Sequence, residues 1–541
     1  MSSRLLYVAI LAAALLIGWQ LARDDTRTGA DAPASLQVLH RGNGNEPESL
    51  DPHASRTDSA SNILRDLFEG LTTFDPAGEL VPGVAESWEI SDDGKTYTFT
   101  LREDARWSNG APVTAGEFVY SFRRLVDPAA AAQYAQMLEP VVNARRITAG
   151  ELPPEELGVA APDERTLVVR LESPTPYLLG IFTHPSTFPV HPPNVEDHGD
   201  DFARPGTLVS NGAFRLTGWV IGSHVTAERN PYYRDDESNA IDEVWFHHII
   251  DQASELKRYR AGEIDFTYTV PPAQFEWIQA NLGEQLHVSP ALNVYFYGFN
   301  LTRPPFKDNL ALRKALSMAL DREQITEKLL GRGEIPAYGW VPQGVNNYQA
   351  QSFEYADWDA ERRLEEARQL YAEAGYSREK PVRFELRYNT GSDHERIAVA
   401  IQSMWKEALG AEVELVNEEF RVLIQNMREK KVTEMFRSSW IGDYDDAYTF
   451  AQVLESRFGL NMTGYDNPAY DRLLAEATSE TDLARRRELL EEAERIMLAD
   501  HPVMPIYFYV NKSLVKTRVQ GWEDNIMNYH YSRHLSLAPE E

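Results

Sequence analysis

Residues 5–22 (LLYVAILAAALLIGWQLA) form an unbroken apolar run behind Arg4, and Arg23-Asp24-Asp25 ends it abruptly. About 18 residues is short for a membrane span and long for a signal-peptide core. Gln20-Leu21-Ala22 is a poor cleavage site, and Ala32-Pro33-Ala34 stands about ten residues too far away. The run predicts a retained anchor in the cytoplasmic membrane, with a cleaved signal as the alternative. Either form delivers the rest of the chain beyond that membrane, and the polar stretch 23–34, with Gly and Pro, reads as a tether.

Beyond residue 35 the pattern changes to short alternating segments. TYTFTL (96–101), TLVVRL (166–171), EVWFHHII (243–250), NVYFYGFN (293–300) and VRFELRY (382–388) have strand composition. Helical periodicity predicts a helix over 359–374, with Leu364, Ala367, Tyr371 and Ala374 on one face and Gly375 as its stop. A second is predicted over 482–499, with Leu483, Leu490, Ala493 and Met497 inward and Arg485 to Arg487 on a solvated face. No repeat of fixed period and no second long apolar run occurs, so solenoids, propellers and multi-pass folds are excluded. Mixed strands and helices over this length predict α/β or α+β layers in several domains. Proline-dense connections at 183–193 and 300–305 read as seams where the chain crosses between them.

Composition narrows the chemistry. The 541 residues contain no cysteine, which removes disulfides, thiolate metal sites, cysteine nucleophiles and lipidation of a terminal cysteine. A net charge of −30 opposes phosphate backbones and anionic lipid surfaces, so nucleic acid is not an expected partner. The sequence has no G-x-S-x-G, H-E-x-x-H, P-loop or complete G-x-G-x-x-G motif. His247 and His248 are neighbours in a predicted strand and face opposite ways, so they cannot share a metal.

The segment 437–448 (RSSWIGDYDDAY) concentrates charge and aromatics. Asp445 and Asp446 read as turn or cap residues, although carboxylates there could also belong to a cation site or an acid–base pair. Asp443, between Trp440 and Tyr444, reads as a receptor for an ammonium group, by charge and by cation–π attraction.

The chain also carries RDLFEGL (65–71), the long run 82–128, VSNGAFRL (209–216), ERNPYY (228–233), RYRAGEIDFTY (258–268), ALRKALSMALDRE (311–323), RYNTGSDHERIA (387–398) and PIYFYVNKSLV (505–515). In this order they closely resemble the extracellular solute-binding proteins of oligopeptide and dipeptide ABC importers, most of all the oligopeptide-binding branch. The resemblance covers nearly everything from 35 to 537. It implies a bilobal, Venus-flytrap α/β fold of mixed sheets flanked by helices, with an additional third domain. Domain I would comprise 35–68, 188–300 and 515–541, domain II 69–187, and domain III 301–514.

The resemblance further implies a monomeric, non-enzymatic, cofactor-free receptor that encloses short peptides and hands them to a membrane permease. The peptide backbone would pair with Arg56-Thr57-Asp58 on one side and Ser439-Trp440-Ile441 on the other, and strand addition of this kind demands no particular sequence. Asp443 would meet the ligand's α-amine. Arg437 and His394 would meet its carboxylate, with Lys328 a further candidate, and Asn389, Phe420 and Tyr134 would line the cavity. The rivals are another solute in the same cleft, such as a murein peptide, dipeptide, haem or metal chelate, and a glycoside hydrolase built on Asp443.

Overall fold

The computed structural model describes residues 36–539 apart from 131 and 133. The expected anchor and tether lie outside the described residues. Among those described, no helix is long and apolar enough to cross a membrane.

The described residues form eighteen strands: β1 (Val38–Gly42), β2 (Thr72–Phe74), β3 (Leu80–Pro82), β4 (Ala85–Ile90), β5 (Thr96–Leu101), β6 (Val159–Ala160), β7 (Thr166–Arg170), β8 (Phe214–Val220), β9 (His224–Arg229), β10 (Glu243–His247), β11 (Leu286–Phe299), β12 (Ile335–Pro336), β13 (Arg383–Asn389), β14 (Glu412–Glu418), β15 (Met435–Ile441), β16 (Val503–Leu514), β17 (Val519–Gln520) and β18 (Ser536–Leu537). They make three larger sheets, ordered β1-β10-β9-β8, β4-β5-β7-β6 and β12-β16-β11-β15-β13-β14, and two hairpin-sized pairs. β1 runs parallel to β10, and β13 runs parallel to both β14 and β15; the other pairs in these sheets are antiparallel. Helices pack on the sheets, so the mixed-sheet α/β class expected from the sequence holds.

Local sequence accounts for these elements. In β5 every second residue is buried, placing Tyr97, Phe99 and Leu101 in the core and the threonines outward. The helix Ala360–Glu373 starts where the Asp359 carboxylate accepts from the Arg362 N–H at 2.8 Å, and Gly375, at φ +88°, turns the chain away from it.

Two expectations about the helix Leu483–Asp500 fail. Leu483 is exposed, because it opens the helix before the apolar stripe reaches the core. Arg486 is not on a solvated face: it is 3% exposed and bridges to Asp446 through two guanidinium nitrogens at 2.6 and 2.9 Å. His247 is buried against His40, while His248, just beyond the end of β10, lies 3.2 Å from Glu46.

One hydrophobic core surrounds the first two large sheets and a second surrounds the third. The long strands β11 and β16 pair over most of their length. Their register shifts twice, between Pro290 and Val294 and again between Tyr295 and Phe296, so an irregular segment separates the Leu286–Pro290 pairing from the rest of the ladder.

Candidate functional site

In β15, Ser439, Trp440 and Ile441 pair with Tyr295, Val294 and Asn293 of β11. On the opposite edge, β13 pairs with β15 only at Met435 and Phe436. Beyond that point β13 leaves the strand, so residues 438–441 present one edge with no strand partner. Ile441 is 66% exposed on it. An open edge of backbone donors and acceptors is a template for another extended chain.

Arg437 stands at the start of this edge. It is buried, and among the described residues it has no carboxylate partner. Its Nη1 donates to Asn389 Oδ1 at 3.2 Å, its Nη2 donates to the Tyr509 hydroxyl at 3.1 Å, and its guanidinium lies over the Tyr295 ring at 4.4 Å. His394 comes within 3.4 Å of the Tyr295 hydroxyl through Nδ1. Burial and the Arg437 charge push its pKa down to about 4, so near neutrality it is an uncharged imidazole. Arg437, Asn389 and His394 therefore converge around Tyr295 and Tyr509. A buried cation facing only neutral groups is poised for an anion.

Asp443 stands past the other end of the edge. Its backbone N–H donates to Thr449 Oγ1 at 3.1 Å, while its carboxylate has no ion-pair partner among the described residues. The side chain is open to the groove, yet the surrounding protein takes enough water from it to raise its pKa. It borders a cavity of about 660 Å³ together with Tyr177, Tyr444 and Tyr448. Tyr444 stacks on Tyr177 at 4.6 Å. The neighbouring carboxylates are structurally engaged. Asp446 binds Arg486 and caps the Tyr448 N–H, and Asp445 accepts from the Asn346 N–H at 3.0 Å. Burial, aided by Asp446 and Glu79, pushes Asp445 up to about 6.

Arg56, Thr57 and Asp58 open the helix Asp58–Leu67, with Thr57 as its cap. The Arg56 and Thr57 N–H groups donate to the Glu48 carboxylate. Asp58 lines a cavity of about 230 Å³ that Ile441 and Gly442 also line, so the two expected pairing segments border a common space. Tyr134 is half-buried; burial, followed by the charges of Asp58 and Asp443, raises its hydroxyl pKa, which places it near both carboxylates. Phe420 is 55% exposed at the start of the helix Phe420–Glu429, and Lys328 is exposed in the π-helical turn Gln324–Leu330. Neither borders the two cavities described. Among the described residues no group of three His, Asp or Glu side chains could hold a metal ion.

Sequence reading missed Tyr295 and Tyr509, although the first lies in the predicted strand 293–300 and the second in the quoted motif 505–515. It also missed Glu48, whose contact with 56–57 no local pattern announces.

Comparison with known proteins places this geometry. The family profile described as "Bacterial extracellular solute-binding proteins, family 5 Middle" matches residues 79–462. The periplasmic oligopeptide-binding protein OppA of Escherichia coli is 38% identical over 547 residues, covering 99% of each chain. Among solved structures, the unliganded open form of the murein tripeptide-binding protein MppA matches with a TM-score of 0.88 and 36% identity, over 93% of this chain and 98% of that one. Haemophilus influenzae OppA in complex with RPPGFSPFR matches with a TM-score of 0.71 and 39% identity, over 93% and 99%. The chain belongs to the bacterial extracellular solute-binding proteins of family 5.

Proposed function

We propose that this protein is the periplasmic substrate-binding component of an ABC importer and that it captures short peptides as an added strand on β15. One arrangement carries the reading: an open strand edge flanked by a carboxylate and a guanidinium that both lack a counter-charge among the described residues. A peptide lying antiparallel to β15 would set its α-ammonium at Asp443 and its carboxylate towards Arg437. Five residues lie between these two groups, so at about 3.3 Å per residue the span suits a ligand of roughly three to five residues. Main-chain hydrogen bonds are the same for every side chain, so affinity comes without a demand for one sequence. Arg437 supplies a planar fork matched to a carboxylate.

The second segment, Arg56-Thr57-Asp58, would meet the peptide's other side once the lobes close, its Arg56 and Thr57 N–H groups exchanging the Glu48 carboxylate for the ligand backbone. The register shift in β11, opposite β16, supplies a bending point. The stronger likeness to an unliganded open relative than to a peptide complex supports the same cycle of capture and closure. The proposal includes the three-domain division 35–68 with 188–300 and 515–541, 69–187, and 301–514. It also includes tethering to the inner membrane through residues 5–22, delivery to a membrane permease, action as a monomer and the absence of catalysis. Mass spectrometry of ligands released from the natively purified protein tests the reading. Short peptides with free termini are expected; a different class of solute as the main ligand overturns it.

A further inference from the structure

The helix Asp58–Leu67 carries a second buried cation that the peptide-capture reading leaves unused. Arg65 is 6% exposed, and among the described residues it has no carboxylate partner. Its Nη1 makes one long contact of 3.4 Å with Asn62 Oδ1, its guanidinium lies 3.4 Å from the centre of the Tyr529 ring, and its buried Nε has no hydrogen-bond partner. Nearby Arg41 is compensated differently: it lies 3.5 Å from Asp66 and donates to the His530 carbonyl and to Ser532. Burial lowers Arg41 to about 10 against the pull of Asp66, and the adjacent Arg65 charge adds a smaller push in the same direction.

Both arginines line the cavity of about 230 Å³ that Asp58 and Ile441 also border. At about 30 Å³ per water, that space holds several waters or one side chain. A charge withdrawn from water without a partner is costly, and an anion entering the cavity would relieve that cost with charge-assisted hydrogen bonds. The Asp58 carboxylate, exposed on the same cavity, is the one lining charge that opposes an anion there, against two guanidinium groups that attract it.

We propose that Arg65 forms the floor of an anion-accepting side-chain subsite and makes the protein prefer peptides that carry a carboxylate side chain at one defined position. This rests on the strand-addition reading, because side chains of an extended ligand alternate and only one position can drop into the cavity.

Calorimetry on the full chain tests it with Ala-Ala-Ala and with tripeptides bearing Glu or its neutral isostere Gln at position one, two or three. The wild type is expected to bind the Glu peptide about tenfold more tightly than its Gln counterpart at one position. Arg65→Gln is expected to erase that difference while keeping Ala-Ala-Ala binding within a few fold, and Arg65→Lys to retain part of it. Tight binding of Ala-Ala-Ala without a Glu preference at any position overturns the subsite alone, and the wild-type measurement decides this even if the variants fold poorly. A preference that survives Arg65→Gln also overturns it, by assigning the anion to another cation. Failure of every tripeptide to bind overturns the strand-addition reading, and the subsite with it.

Discussion

Replacing Asp443 with asparagine keeps the shape and removes the charge, so it isolates the ammonium contact. Removing one partner from a hydrogen-bonded charge pair that becomes enclosed costs about 2–5 kcal/mol. The free carboxylate is still open to the groove, so it is only partly dehydrated before the ligand arrives, and the lower part of that range applies. At 1.4 kcal/mol per factor of ten, Asp443→Asn should weaken Ala-Ala-Ala binding by roughly 30- to 150-fold. The discriminating quantity is a cycle measured by calorimetry, in which wild type and variant each bind Ala-Ala-Ala and its N-acetylated form. Acetylation deletes the positive charge, so the two losses should overlap, leaving a coupling of about 2 kcal/mol. The pH dependence has a fixed sign. Burial raises the Asp443 pKa, and only the ionised carboxylate pairs with ammonium, so wild-type affinity should fall as the pH drops through that raised value. The variant should lose this component. Losses that simply add, with no coupling, would refute the reasoning, because Asp443 would then act on structure and not on the amine.

The opposite end of the groove makes a parallel prediction. Arg437→Met should weaken peptides with a free carboxylate at least tenfold while changing C-terminally amidated peptides little, as read by competition binding. Arg486→Met leaves the Asp446 carboxylate inside the protein without its partner and should destabilise the fold by about 3–5 kcal/mol in urea unfolding. Glu494 is fully enclosed, accepts from the Trp340 and Val341 N–H groups, and is pushed by burial up to about 7. An acid whose folded pKa lies above its unfolded value of about 4.5 contributes stability that is complete below about pH 4.5 and lost as the pH rises through about 7. Unfolding measured at pH 5 and pH 8 should therefore show a loss of roughly 3 kcal/mol attributable to this group, and Glu494→Gln should flatten that slope.

The parts legible in the sequence were those fixed by neighbours along the chain. The alternation in TYTFTL and the cap and stop around 359–375 returned the observed elements within a residue or two. β11 shows the limit: its Val294–Phe299 arm announces itself by hydrophobicity, whereas Leu286–Pro290 is largely polar or exposed and becomes a strand only because β16 lies beside it. Arg486 reads as one of three charged residues on a helix surface until Asp446, forty residues earlier, is brought to meet it. The site divides in the same way. Asp443 stood out through its aromatic neighbours and a long family pattern. The open edge of β15, the absence of a carboxylate at Arg437, and the uncompensated Arg65 inside the RDLFEGL motif are facts about pairing across the fold, which spacing along the chain does not encode.

The most direct measurement is a crystal structure of the protein with Ala-Ala-Ala. An extended ligand hydrogen-bonded to Ser439–Ile441 is expected, with its ammonium nitrogen about 3 Å from the Asp443 carboxylate and its carboxylate turned towards Arg437. A ligand bound elsewhere, or in the cleft with its amine directed away from an Asp443 left facing solvent, would contradict it.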